Sequence, residues 1–181
     1  MPRILDIGCG QNKFPGAIGI DKNPDTAADV LCDVDTRGLP FADNSFDEIR
    51  ALHLIEHVAD VVKTMEELHR VTRAGGIIHL VTPHYTDFSS FCDPTHRWHL
   101  NSFSFRYFFT PGGRHGQDHF YTPIRLRERM VRLQLLKFWK YLGFEWLVNH
   151  FLFFRRFWEY YLCYVIRGKV MTFEFEVLKT P

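Results

Sequence analysis

A chain of 181 residues with 46% hydrophobic residues fits one domain that buries its core without disulfides. Lys and Arg number 22 against 21 Asp and Glu, a formal charge of +1, which excludes a general electrostatic drive toward nucleic acid. Cys9, Cys32, Cys92 and Cys163 form no CxxC pair, arguing against a zinc knuckle or a secreted disulfide scaffold. No charged leader precedes the first apolar stretch, and no run of about 18 apolar residues occurs. A cytoplasmic protein with reduced thiols and no transmembrane segment is expected.

In chain order, Arg3 to Ile7 is a short apolar run ended by glycines, and Ala17 to Ile20 is another ended by Asp21. Both have the pattern of buried parallel strands. Val30-Leu31 before Cys32-Asp33 predicts a third strand, Phe46 to Leu54 a fourth, and Ile77 to Thr82 a fifth, entered through the helix-stopping "RAGG" at 73–76. Val58, Val61, Val62, Met65, Leu68 and Val71 recur at helical steps opposite Lys63, Glu66, Glu67 and Arg70. They predict the crossover helix of a βαβ unit.

Further along, Ile124, Leu126, Val131, Leu133 and Leu135 alternate with arginines and Gln134, and the alternation slips by one residue near Glu128 to Met130. This reads as a long bulged strand; a helix starting at Thr122-Pro123 is the competing reading. Phe151 to Arg167 carries an aromatic stripe at helical spacing, a core element or a dimer surface. Val170 to Leu178 is a cleanly alternating last strand, antiparallel to the one before it. The whole is an α/β fold, a doubly wound, mostly parallel seven-stranded sheet with an antiparallel last strand and a helical insertion before it.

The glycine turn "LDIGCG" after the first strand lies where such sheets bind ligands, at the carboxyl ends of the strands. A dinucleotide fingerprint would place a third glycine at position 13, where Lys13 stands, so a nicotinamide cofactor is disfavoured. What remains is Asp6, Gly8 and Gly10, then Asp21 ending the second strand and Asp33 the third. A carboxylate at Asp21 can accept from both hydroxyls of a ribose, and one at Asp33 from an adenine amine.

The ordered set LDIGCG, GID, CDVD, LPFADNSFDEI, LIEHV and LHRVTRAGGIIHLVTP resembles the class I S-adenosylmethionine-dependent methyltransferases, over residues 3–83. The resemblance implies a Rossmann-like methyltransferase fold in a single domain over 1–181. It implies S-adenosylmethionine as cofactor, with Gly8 and Gly10 at its methionine part, Asp6 at its amino group, Asp21 at its ribose, and Asp33 with the Val34 backbone at its adenine; Lys22 and His53 are further candidate cofactor contacts. Leu39-Pro40-Phe41 would wall the adenine side. Asp93 to Phe108 also resembles a segment of small bacterial members, which often accompany glycan or natural-product pathways.

Two departures stand out. The chain starts at the first strand, without the usual N-terminal cover helices, and the loop Gly10 to Ile18 is too short for the usual first helix. An open pocket, or one closed by another segment or a partner subunit, is expected.

Methyl transfer needs an in-line acceptor and, for a hydroxyl, a base. His84 or His99 is the expected base, with His53 a further candidate, because histidine titrates near neutral pH and these follow strand ends. The alternative is that each orients a loop or caps a helix. The acceptor is expected to be a small metabolite or a glycan or lipid precursor, methylated on oxygen or nitrogen. Its recognition is expected within Tyr85 to Asp118.

Arg125, Arg127 and Arg129 read either as an anion site or as a solvated strand face, and Arg155, Arg156 and Lys169 allow peripheral membrane contact. Rival readings are a non-catalytic S-adenosylmethionine-binding partner subunit and a zinc hydrolase using "HLIEH", His53 to His57. The latter needs one helix through both histidines; a strand is expected through Leu54, so no metal site is expected.

Overall fold

The computed structural model describes residues 2–109 and 122–179. Five strands, β1 (Ile4–Ile7), β2 (Ile18–Asp21), β3 (Val30–Leu31), β4 (Phe46–Leu52) and β5 (Thr72–Pro83), pair in parallel. β7 (Gly168–Leu178) pairs antiparallel with both β5 and the edge strand β6 (Arg125–Leu135). The order is β3-β2-β1-β4-β5-β7-β6, the seven-stranded, mostly parallel sheet expected. The chain reverses direction across the sheet between β1 and β4, and a crevice opens at the carboxyl ends of those strands.

The two faces of the sheet differ because its alternation is clean. Leu5, Ile49, Ile78 and Phe175 form one row across four strands, and all four are fully buried. The amphipathic helix α2 (Val61–Val71) adds Met65, Leu68 and Val71 to this core. α2 starts three residues after Val58, where the periodicity suggested, because Asp60 caps it, accepting from the Lys63 N–H at 3.1 Å.

On the opposite face, Asp6, Arg50, His79 and Glu174 form one row, and Glu48, Glu176 and Arg127 lie in the next. Apart from the buried Asp6, these side chains are partly solvated, and several pair across the strands: His79 lies 3.3 Å from Glu48 and 3.4 Å from Glu174. Arg127 and Arg129 both reach Glu176, at 3.1 and 2.6 Å. Arg127 and Arg129 are thus a solvated, paired strand face, whereas Arg125 donates to the Thr122 and Ile124 carbonyls.

The strand reading of 124–135 prevails over the helix, and the slip in alternation is a register shift between Glu128 and Met130. Tyr121 lies outside the described residues. After β6 come three short helices, α3 (Lys137–Tyr141), α4 (Phe144–His150) and α5 (Leu152–Phe157), then a π-helical turn, Trp158–Leu162. The insertion therefore starts earlier than the aromatic stripe suggested. It breaks at Gly143, with φ of 79°, and at Phe151, whose backbone is extended.

These helices protect the sheet's edge. Asn149 accepts from the Leu133 N–H at 2.7 Å and donates to its carbonyl at 2.8 Å. Glu145 takes the Leu135 N–H at 3.0 Å, and the buried Arg155 donates to the Val131 carbonyl at 3.0 Å. Side chains thereby satisfy the outward backbone groups that would otherwise recruit another strand. Of the aromatic stripe, Trp158 is core, whereas Phe151, Phe157, Tyr161 and Val165 are exposed.

Candidate cofactor site

The turn after β1 is shaped by two glycines, Gly8 with φ of 67° and Gly10 with φ of 52°, a region that L side chains enter at a cost. A Cβ at Gly8 would also stand 3.3 Å from Leu54 Cδ1. The Gly8 N–H donates to the Ile20 carbonyl at 2.8 Å, and the Gly10 N–H donates to Asp21 Oδ2 at 3.0 Å. The turn off the first strand is therefore tied to the end of the second.

Residues 8–17 join β1 to β2 without a helix, shorter than most parallel crossovers. Lys13, where a dinucleotide fingerprint has glycine, folds back across Gly19: a Cβ there would lie 2.5 Å from Lys13 Cδ. Its ammonium meets Asp29 at 2.7 Å, and Asp29 in turn accepts the Gly19 N–H at 2.7 Å. Those two bonds, the Lys13 one foremost, hold the Asp29 carboxyl below its ordinary range. Ion pair and backbone bond staple this loop in place of the missing helix.

A cleft of about 630 Å³ opens at the strand ends, within the range of roughly 300–1,000 Å³ typical of ligand sites. Gly8, Asp21, Lys22, Asp33, Val34 and His53 all line it. Asp21 Oδ1 accepts the Asn23 N–H at 2.9 Å. Each carboxylate oxygen thus spends one lone pair on backbone and keeps one for a ligand. Asp33 caps the short helix α1 (Val34–Arg37), accepting the Asp35 N–H at 3.0 Å. Ile7, Ile20, Leu54 and Val58 supply apolar wall. Two diol-ready lone pairs beside an apolar slot and a Cβ-free turn fit a nucleoside with a charged tail.

Asp6 and Gly10 are not among the lining residues. Asp6 is buried and accepts the Phe14 N–H at 2.8 Å, so it braces the loop from beneath. Leu39-Pro40-Phe41 does not wall the cleft either. Leu39 is in the core and Phe41 packs edge-on against Phe46 with centroids 4.9 Å apart. Arg70 of α2 holds this segment through the Leu39 and Phe41 carbonyls, at 2.9 and 2.8 Å. The family-like strings around Leu39 and Arg70 are thus one structural joint. Burial raises the pKa of Cys9, the neighbouring Asp6 and Asp21 adding to it, so its thiol stays protonated, as a packing residue should.

Missed from sequence were Pro94, Thr95 and Arg97, which form one wall of the cleft. Their segment docks by the Arg97 N–H onto the Glu56 carbonyl at 2.8 Å and by Trp98 Nε1 onto the Val58 carbonyl at 2.8 Å. The signal was present in "DPTHRW", but nothing local says where a loop 40 residues from His53 will land. Of the expected acceptor segment, residues 110–118 lie outside the described ones.

The candidate bases separate. His53 lines the cleft at φ of 54°, with Nδ1 3.1 Å from Glu56 Oε1; that hydrogen bond, against opposing burial, raises its pKa. His84 is fully buried, with Nδ1 2.7 Å from Thr86 Oγ1 and Nε2 3.3 Å from Glu159. His99 is exposed, stacks on Phe91 at 3.9 Å and meets Ser90 at 2.9 Å. Neither His84 nor His99 lines the cleft. His57, not His53's helical partner, does.

A glycine turn after β1, acids closing β2 and β3, and a cleft at the reversal of a 3-2-1-4-5-7-6 sheet define a class I methyltransferase fold. Residues 5–80 match the family described as methyltransferase domain. The chain is 29% identical over 99 residues to a demethylmenaquinone methyltransferase of Chlorobaculum parvum, a stretch that is 45% of this chain and 41% of that protein. In structure it is similar to the YcgJ protein of Bacillus subtilis, with a TM-score of 0.62 at 14% identity over 99% of this chain and 93% of that one. It is also similar to a SAM-dependent methyltransferase of Archaeoglobus fulgidus, with a TM-score of 0.60 at 15% identity over 96% and 85% of the two chains. The fold is thus that of the class I S-adenosylmethionine-dependent methyltransferases, and residues 5–80 carry the match to the methyltransferase-domain family. It spans less than half the length of the curated relative it matches. Among the described residues no helix is long and apolar enough to cross a membrane.

Proposed function

We propose that this protein binds S-adenosylmethionine in the cleft between Gly8, Asp21 and Asp33 and transfers its methyl group to an oxygen or nitrogen of a small molecule or a glycan or lipid precursor. The observation that carries the reading is Asp21. Its carboxylate closes β2, is fixed by the Gly10 and Asn23 N–H groups, and presents its remaining lone pairs to the cleft. Lys22 and the Val34 backbone stand beside it, and Arg97 offers a cation for a carboxylate tail.

The bound cofactor supplies a methyl already activated by its sulfonium, so the protein's own work is positioning and proton transfer. Gly8, Asp21 and Asp33 would hold the cofactor, which would supply its methyl group to the acceptor's lone pair. His53 takes the acceptor's proton on the ring nitrogen left open by its Glu56 contact. His84 and His99 act outside this step. His84 ties the end of β5 to the π-helical turn.

Exposed aromatic side chains at Phe153, Phe157, Tyr160, Tyr161 and Tyr164, with Arg156 and Lys169 nearby in sequence, favour contact of this end with a lipid surface or a second subunit. All four cysteines are thiols, which suits the reducing cytoplasm. The test is calorimetry with S-adenosylmethionine, followed by radiolabelled methyl transfer to an acceptor panel. Saturable binding that is markedly weakened in Asp21→Ala supports the reading, and equal binding by both overturns it. Binding without transfer to any acceptor would favour the non-catalytic partner subunit.

A further inference from the structure

The stretch "HLIEH" does not form the helix that an inverted zinc-protease motif requires. Its residues lie in turns, His53 has φ of 54°, and α2 begins only at Val61. Glu56, at its centre, is nevertheless fully buried. Oε1 is 3.1 Å from His53 Nδ1, while Oε2 is buried with no hydrogen-bond partner. A buried carboxylate oxygen left unpaired is costly, so this one implies a missing partner.

Two imidazoles lie close to this carboxylate. One ligand atom each of Glu56, His57 and His96 lie within 4.8 Å of one another, and the two rings pack edge-on with centroids 4.6 Å apart. His57 Nδ1 is engaged by Thr95 Oγ1 at 2.9 Å, and His96 Nδ1 by the Ser90 carbonyl at 3.1 Å. Each ring is oriented through one nitrogen, leaving Nε2 to coordinate, the usual outer-shell arrangement of metal-binding histidines. Asp93 Oδ2, 3.8 Å from His96 Nε2, is beyond hydrogen-bond reach.

We propose that Glu56, His57 and His96 bind one divalent transition-metal ion on the wall of the cleft. Two imidazoles and one carboxylate favour Zn²⁺, Fe²⁺ or Co²⁺ over Mg²⁺ or Ca²⁺, and metal–ligand distances of about 2.0–2.2 Å draw the three donors together. Three protein ligands leave a coordination position open. His57 lines the cleft, so that position is available to water or to an acceptor oxygen. Glu56 serves as a ligand here, and the second histidine comes from a segment 39 positions further on. The assignment does not rest on methyl transfer, because metal binding is read on the protein alone.

The experiment is titration of the full chain, stripped with a chelator, with Zn²⁺ alone, and with Co²⁺ followed by its visible absorption. One equivalent is expected to bind. Glu56→Gln and His96→Ala are each expected to weaken it at least ~100-fold, and His53→Gln, which removes the partner of Oε1, about 10-fold. His150→Ala, at an exposed site elsewhere, serves as the control and leaves binding unchanged. If Glu56→Gln does not fold by circular dichroism, His57→Ala and His96→Ala, at partly exposed positions, carry the test. Absence of stoichiometric Zn²⁺ binding, or binding that survives the His57→Ala/His96→Ala double substitution, overturns the proposal.

Discussion

The backbone N–H of Gly10 donates to Asp21 Oδ2 at 3.0 Å, so the turn that leaves β1 and the acid that ends β2 are one rigid unit. Asp21→Ala should therefore weaken S-adenosylmethionine by about 2 kcal/mol or more, the worth of a charge-assisted pair of hydrogen bonds. Asp21→Asn keeps one acceptor oxygen and should lose less. Calorimetric titration ranks the three proteins, and an affinity unchanged in Asp21→Ala removes the ribose assignment.

Gly8→Ala should destabilise the protein by about 1–2 kcal/mol, because its φ of 67° is a left-handed conformation that costs this much for an L residue. The crowding by Leu54 Cδ1 at 3.3 Å adds to it and reshapes the cleft. Chemical denaturation gives the stability change, and the same sample should bind cofactor more weakly. A variant as stable as the parent would show that the turn relaxes.

The pKa of His53 is raised by its hydrogen bond to Glu56, and a base must be neutral to accept a proton. Turnover should accordingly rise with pH through an inflection above the ordinary 6.5 of an imidazole. In His53→Ala the rate should fall by about 10²-fold or more and the inflection should vanish. A variant that keeps both rate and pH profile would exclude His53 as the base.

His84 and Glu159 test a different kind of histidine. Burial pushes the Glu159 carboxyl up, but its bonds to His84 and Ser102 outweigh this and leave it below its ordinary value. A depressed carboxyl stabilises the fold above its unfolded pKa, and the gain is lost as pH falls through the folded one. The protein should thus lose stability below about pH 4.3. His84→Ala leaves a buried carboxylate with only Ser102 and should cost about 3 kcal/mol at neutral pH. Cofactor affinity in the surviving folded fraction should be unchanged; thermal melts across pH with parallel binding check both.

The sequence alone determined the sheet, because buried parallel strands are written as short apolar runs and the wet antiparallel ones as strict alternation. It even registered the bulge, since a one-residue slip inverts which side chains face the core. It likewise located Gly8, Asp21 and Asp33, whose places follow from lying at or just past strand ends. Tertiary structure decided what depends on contacts distant in sequence. That Pro94 to Arg97 would wall the cleft followed from backbone bonds to Glu56. That His84 would be sealed in rather than face the ligand followed from Glu159, 75 residues away. No local pattern encodes which of several histidines after a strand end turns toward the crevice, because loop packing across the chain sets that direction.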